Sequence, residues 1–216
     1  MDSKEYLSEP SCLRALEATL IKYLKMKIGL FFGSFNPIHM GHLIIANIMA
    51  ETTDLKKVWF VVSPQNPFKP SKGLLHEFDR YDMVRKAIHD NYKLEVSDVE
   101  FHLPKPSYTI HTLVHLLEKH PDTEFKVIMG EDNLTGFTKW KNHERILEDY
   151  GLYVYPRPNV TNSELTRHPN VKMVDSPMLD ISATFIRNCI RKNQSIRYLV
   201  PDGVEEMIRA KSFYKD

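Results

Sequence analysis

The feature that most restricts this chain is an alternation of two kinds of segment. Short runs of β-branched and aromatic residues take turns with longer stretches of helical spacing. The first run, 27–32, reads K-I-G-L-F-F and closes on Gly33. Others follow at 58–62, ended by Ser63-Pro64, at 94–96, at 125–129, stopped by Gly130, at 152–155 and at 171–174. Helical spacing fills 78–89, 108–119 and 140–149, the stretch from the 34–39 loop to about Thr52, and two pieces from Ser182 onward. Repeated strand–helix alternation predicts an α/β fold, a doubly wound parallel sheet with helices on both faces. Right-handed crossovers then gather the strand-to-helix loops at the carboxyl edge of the sheet, where function is to be sought.

The 216 residues fit one domain, and 29 basic against 28 acidic side chains leave a formal net charge of +1. That balance argues against a broad electrostatic footprint for nucleic acid, which shows as a basic excess. A local anion pocket needs only a few donors. Cys12 and Cys189 are far apart in sequence, so neither a disulfide framework nor a zinc pair is expected, and a reducing, cytoplasmic setting is. The longest apolar run, around 43–50, is far short of the roughly 20 residues a membrane span needs. No secretory signal is expected either. Residues 1–25 fit the alternation poorly. They are read as an extension outside the core, an extra helix on the sheet being the alternative, with one domain over 26–216. Nothing in the pattern fixes an oligomeric state.

The informative segment is 33–43, G-S-F-N-P-I-H-M-G-H-L. Gly33 leaves the strand where a side chain would obstruct a ligand, and Pro37 stiffens the loop. His39 and His42 are three apart, so a helix starting at Met40 carries both imidazoles near its first turn. Its positive dipole end and free N–H groups already favour phosphate. No carboxylate or cysteine is near enough to complete a zinc site around them, and no protein metal site is expected.

Residues 33–43 resemble the signature of the nucleotidyltransferases with an H-x-G-H motif, a Rossmann-like superfamily. Three later segments narrow the resemblance. P-S-Y-T-I-H-T-L at 106–113, G-E-D-N-L at 130–134 with Trp140 beyond it, and I-S-A-T-F-I-R at 181–187 are similar to those of bacterial nicotinate-nucleotide adenylyltransferases. With Arg157, the ordered set spans about residues 26–212. One departure is His111, which occupies a position where the family usually has an acidic residue.

The resemblance implies a direct displacement, in which the phosphate of nicotinate mononucleotide attacks the α-phosphorus of ATP and pyrophosphate leaves. Such a reaction asks for alignment and charge compensation, not a protein nucleophile. His39, His42 and Arg187 are the implied catalytic groups. ATP would also meet Gly33, Ser34, Phe35, Gly130, Asp132, Ile181, Ser182 and Thr184. Asn36, Lys69, Tyr108, Thr109, Trp140 and Arg157 would hold the mononucleotide, and Mg²⁺ would arrive bound to the nucleotide. Several of these residues have a plainer reading. Ser182, Thr184 and Asp132 could simply cap helices, Trp140 could be a half-buried packing residue, and Lys69 a solvated lysine. Nicotinamide mononucleotide and pantetheine phosphate are rival acceptors, and a nucleotide sensor without chemistry is the rival class.

Overall fold

In the computed structural model, residues 25–65, 73–158, 160 and 163–215 are described. Nearly all of the expected extension, and Lys69, lie outside them. Six strands alternate with helices in the expected order. They are β1 (Met26–Gly33), β2 (Lys57–Val62), β3 (Leu94–Ser97), β4 (Thr123–Gly130), β5 (Leu152–Tyr155) and β6 (Val171–Met173). The helices are α1 (Met40–Thr52), α2 (Glu77–Ala87), α3 (Thr109–Lys119), α4 (Glu131–Thr135), α5 (His143–Arg145), α6 (Ala183–Arg191) and α7 (Asp202–Ala210).

All the strand pairings are parallel, in the order β3-β2-β1-β4-β5-β6. After β3 the chain returns to the far side of β1, and the strand order reverses there. The crevice between the carboxyl ends of β1 and β4 is therefore the place such sheets bind ligands.

Side chains that alternate along each strand feed two cores, one per face. Ile28 and Leu30 of β1 enter the cluster that α3 supplies with Ile110, Leu113 and Leu116. Phe31 points the other way, into the cluster built from α1, α2, α6 and α7, with Met49, Met83, Ile186 and Val204. Each such side chain contributes about 1.5–3 kcal/mol by leaving water. Two cores fix the central strands from both sides, and so fix where their loops emerge.

One expected helix is broken. Over 140–149 the chain runs from a 3-10 turn at Phe137–Lys139 into α5 and then a π-helical turn at Ile146–Tyr150. Asn142, at φ 54, lies in the left-handed region and interrupts the helical path.

Candidate active site

Residues 34–39 must carry the chain from the end of β1 to the first turn of α1. A Cβ on Gly33 would come within 2.7 Å of the Phe35 ring, so this glycine makes room for the loop's own aromatic side chain. Phe35, at φ 45 and 2% exposed, turns that ring inward, edge-on to Phe60 and to His42. His39 is the N-cap of α1, and its backbone N–H donates to Nδ1 of His42 at 3.3 Å. N-cap and N3 positions share one side of a first turn. The imidazoles accordingly stack, with ring centroids 3.7 Å apart. A Cβ on Gly41 would touch His39 Nδ1 at 3.1 Å, so the second glycine of the motif leaves space for that ring.

The terminus is less open than the sequence suggests, because the Met40 N–H donates to the Leu199 carbonyl at 2.9 Å. Attraction for an anion comes from the dipole end and the imidazoles. His39 is 6% exposed, and its Nδ1 is buried without a hydrogen-bond partner. Burial first, and the Arg157 charge second, push its pKa down to about 4. The ring is therefore neutral near pH 7, with an unused nitrogen.

Distant segments fix the loop. The Asn36 amide donates to the Gly73 carbonyl at 3.0 Å, and its Oδ1 accepts from the Leu75 N–H and the Tyr214 hydroxyl. The Asn36 carbonyl accepts from Arg187 at 2.7 Å, and the same guanidinium donates to Thr184 Oγ1. Arg80 does most for the loop's shape. It is fully buried, and its donors reach the carbonyls of Ser34, Ser63, Pro64 and Leu75. That one side chain ties together the turns after β1 and β2.

Across the crevice, Gly130 ends β4 and is the N-cap of α4, so Asp132 lies inside the helix and does not cap it. Its carboxylate is 3.6 Å from Arg157 Nε, and Arg157 also donates to the Leu179 carbonyl. Ser182 does cap α6, accepting from the Phe185 N–H at 3.2 Å. Trp140 is half-buried against Phe137, with ring centroids 5.6 Å apart. Tyr108 precedes α3 beneath the Lys141 ammonium, 4.9 Å from its ring centroid.

These groups surround one cavity of about 520 Å³. Every site residue expected from the sequence lines it, except Lys69, which lies outside the described residues. Ile181, Thr109 and Ser34 are on its wall, and Trp140 both packs and faces the space. His111 is exposed on the first turn of α3, edge-on to Tyr108, and is not part of the lining. The wall also holds residues to which the sequence assigns no site role, notably Glu100, Ser107 and Tyr155. Burial pushes the Tyr155 hydroxyl up to about 12. A buried polar residue is visible only once the fold surrounds it.

A paired-imidazole loop at the switch point of a six-stranded parallel sheet defines a nucleotidyltransferase, and the cytidylyltransferase-like family matches residues 30–189. The chain is 62% identical over 191 residues to the probable nicotinate-nucleotide adenylyltransferase of Cytophaga hutchinsonii, covering 88% of this chain and 100% of that one. The protein of the same name from Flavobacterium johnsoniae is 52% identical over 192 residues, again 88% of this chain and all of the relative. Among solved structures, the nicotinic acid mononucleotide adenylyltransferase of Plasmodium falciparum, complexed with NaAD, shares the fold. Its TM-score is 0.75 at 20% identity, covering 88% of this chain and 97% of that chain. This chain belongs to the nicotinate-nucleotide adenylyltransferase family.

Proposed function

We propose that this protein transfers the adenylyl group of ATP to nicotinate mononucleotide, giving nicotinate adenine dinucleotide and pyrophosphate. A phosphate oxygen of the mononucleotide attacks the α-phosphorus, and the bond to the bridging oxygen of pyrophosphate breaks. The observation that carries the reading is the stacked His39–His42 pair, with Arg187 tied to the same loop through the Asn36 carbonyl, on the wall of one cavity at the crevice between β1 and β4. A triphosphate laid there meets imidazole and guanidinium donors where charge accumulates.

His39 and His42 are assigned to the α- and β-phosphates, and Arg187 with Ser182 and Thr184 to the leaving pyrophosphate. Arg187 remains cationic despite burial, and its grip on the Asn36 carbonyl sets its distance from the imidazoles. Asp132 beyond Gly130 is assigned to ribose hydroxyls, and the loop from Gly33 to Phe35 and Ile181 to the walls of the ATP site. Trp140 offers a flat face to the pyridine ring, while Tyr108 and Thr109 meet its carboxylate. Arg157 and Lys69 are assigned to the mononucleotide phosphate. Asn36 is assigned to the same end of the site through its backbone, since its side-chain amide already has protein partners at both ends.

Mg²⁺ fits as a nucleotide-borne ion that neutralises phosphate charge. Among the described residues no three His, Cys, Asp or Glu side chains gather to hold a metal, and the imidazoles and Arg187 suit phosphate oxygens instead. We read 26–216 as one nucleotidyltransferase domain working in the cytoplasm, with small-molecule substrates and no nucleic-acid partner. No helix among the described residues is long and apolar enough to cross a membrane.

The test is pyrophosphate release from ATP and Mg²⁺ with nicotinate mononucleotide, nicotinamide mononucleotide or pantetheine phosphate as acceptor. The highest kcat/KM is expected with the nicotinate form. A strong preference for the amide would reject the acceptor, and no release with any of them would reject the enzyme.

A further inference from the structure

In the turn that follows α7, Ser212 at φ 53 and Tyr214 at φ 64 both occupy the left-handed region, although neither is glycine. The N–H groups of Ser212 and Phe213 donate to the carbonyls of Arg209 and Ile208, so the chain turns back on the end of the helix. Lys211 adds an ion pair to Asp79 of α2 at 2.6 Å. The result of this turn is the placement of one hydroxyl. Tyr214 is 8% exposed, its ring lies in the same core as Val204 and Ile208, and its hydroxyl donates to Asn36 Oδ1 at 2.9 Å. Burial pushes the pKa of that hydroxyl up, against the nearby charges of Arg187 and Arg80, so it stays a neutral donor. Backbone held in a sparsely populated conformation persists only where its surroundings impose it, and such places cluster at functional sites.

We propose that Tyr214 is a positioning residue for the transfer, its hydroxyl setting the phosphate loop through Asn36. This rests on the assignment of the loop and Arg187 to ATP. Tyr214 is not on the cavity wall, so it acts only through what it holds. Asn36 Oδ1 has two donors, and the other, the Leu75 N–H, is longer at 3.3 Å. With both in place the amide plane is fixed, and Nδ2 is aimed at the Gly73 carbonyl. The backbone carbonyl of Asn36 accepts from Arg187 at 2.7 Å, and Arg187 donates onward to Thr184. One chain of bonds thus runs from the Tyr214 hydroxyl through Asn36 to the guanidinium assigned to the leaving pyrophosphate. Asn36 also lies three residues before His39, so a shift of its backbone moves the paired imidazoles with it. Those groups offset charge that builds only as the bond at the α-phosphorus breaks, so their misplacement is felt in kcat more than in KM.

The experiment measures pyrophosphate release and denaturant unfolding for the wild type, Tyr214→Phe, Asn36→Ala, the double variant and Val204→Ala. Tyr214→Phe keeps the buried ring and loses only the hydroxyl. Its kcat per folded molecule should fall about tenfold, with KM for ATP and for the mononucleotide within about twofold of the wild type. In the Asn36→Ala background the same substitution should change kcat less than about twofold, because the group it acts on is gone. Val204→Ala opens a cavity in the same core at α7, and should lower stability while leaving kcat unchanged. A kcat in Tyr214→Phe within about twofold of the wild type overturns the proposal. So does an undiminished loss in the Asn36→Ala background, or a Val204→Ala variant that loses kcat in step with its stability. A wild type that releases no pyrophosphate with any acceptor rejects the functional reading itself, whereas an active wild type indifferent to the hydroxyl rejects only the role of Tyr214.

Discussion

The two edges of the sheet are built on opposite terms. At the amino edge, Asp54 in the turn between α1 and β2 gathers Lys27, Tyr153 and Lys172, each near the start of its strand. It accepts from Lys27 at 2.6 Å, from the Tyr153 hydroxyl at 2.6 Å and from Lys172 at 3.1 Å. Burial, the largest single influence, pushes its carboxyl up, but the three donors together outweigh it and hold it well below the usual carboxylate range. At the carboxyl edge, His39 Nδ1 is buried and unpaired, and Phe35 is held at a positive φ. Around Asp54 the polar groups are matched internally. The carboxyl edge leaves a ring nitrogen unmatched and a backbone residue strained, and the rest of the fold supports that cost.

Substitutions at the two edges should therefore separate activity from stability. His42→Ala should lower kcat by about 10²–10³-fold, the scale of losing one preorganised donor, while the melting temperature changes little. Steady-state pyrophosphate release reads it, and a kcat within threefold of the wild type would remove the imidazole from the mechanism. Arg80→Met should blur the separation. It leaves four backbone carbonyls without their buried donor, so a loss of about 3 kcal/mol in denaturant unfolding is expected together with weaker ATP binding. A variant that is destabilised but binds ATP normally would show that the loop holds its shape without the clamp.

Asp54→Asn should do the reverse of His42→Ala. Its partners are partly solvated, so only about 1 kcal/mol is expected near neutral pH, with kcat unchanged. Because the folded carboxyl titrates below its ordinary value near 3.8, that contribution is complete above this pH and fades as the pH falls further. Wild type and variant should converge in acid, and a constant gap would contradict the linkage.

The smallest effect belongs to His39. Its depressed pKa makes the unfolded chain the better proton binder between about 6.5 and 4, so its contribution to stability is full above that window and is lost as the pH falls through it. A triphosphate beside the ring raises the pKa again. ATP binding near pH 6 should then take up a fraction of a proton more in the wild type than in His39→Asn. Calorimetry in buffers of different ionisation heat measures the difference, and equal uptake would argue against phosphate contact at His39.

What was legible in the sequence was what is local. The strands announced themselves because 27–32, 58–62 and 125–129 are β-branched or aromatic runs with clear stops. The phosphate loop did so because Gly, Pro and two histidines fall within one short turn. What escaped is non-local or context-dependent. Arg80 is one arginine of a polar helix until the fold brings carbonyls from two other loops around it. Glu100 follows a short strand with no motif of its own, and only burial makes its carboxyl unusual. Asn36 drew attention as a loop residue, yet its amide is committed to residues at 73, 75 and 214. The expected helix over 140–149 failed at Asn142, where a left-handed residue overrides helical spacing.

Those Asn36 contacts have a consequence for how the protein is made. The loop is encoded at residues 34–39, but its anchors Arg187 and Tyr214 are 151 and 178 residues downstream of Asn36. Synthesis runs from the amino end, so the nascent polypeptide exposes its histidines long before it can shape them. The loop's grip waits on Arg187 and Tyr214, and a copy without them has the signature without the grip.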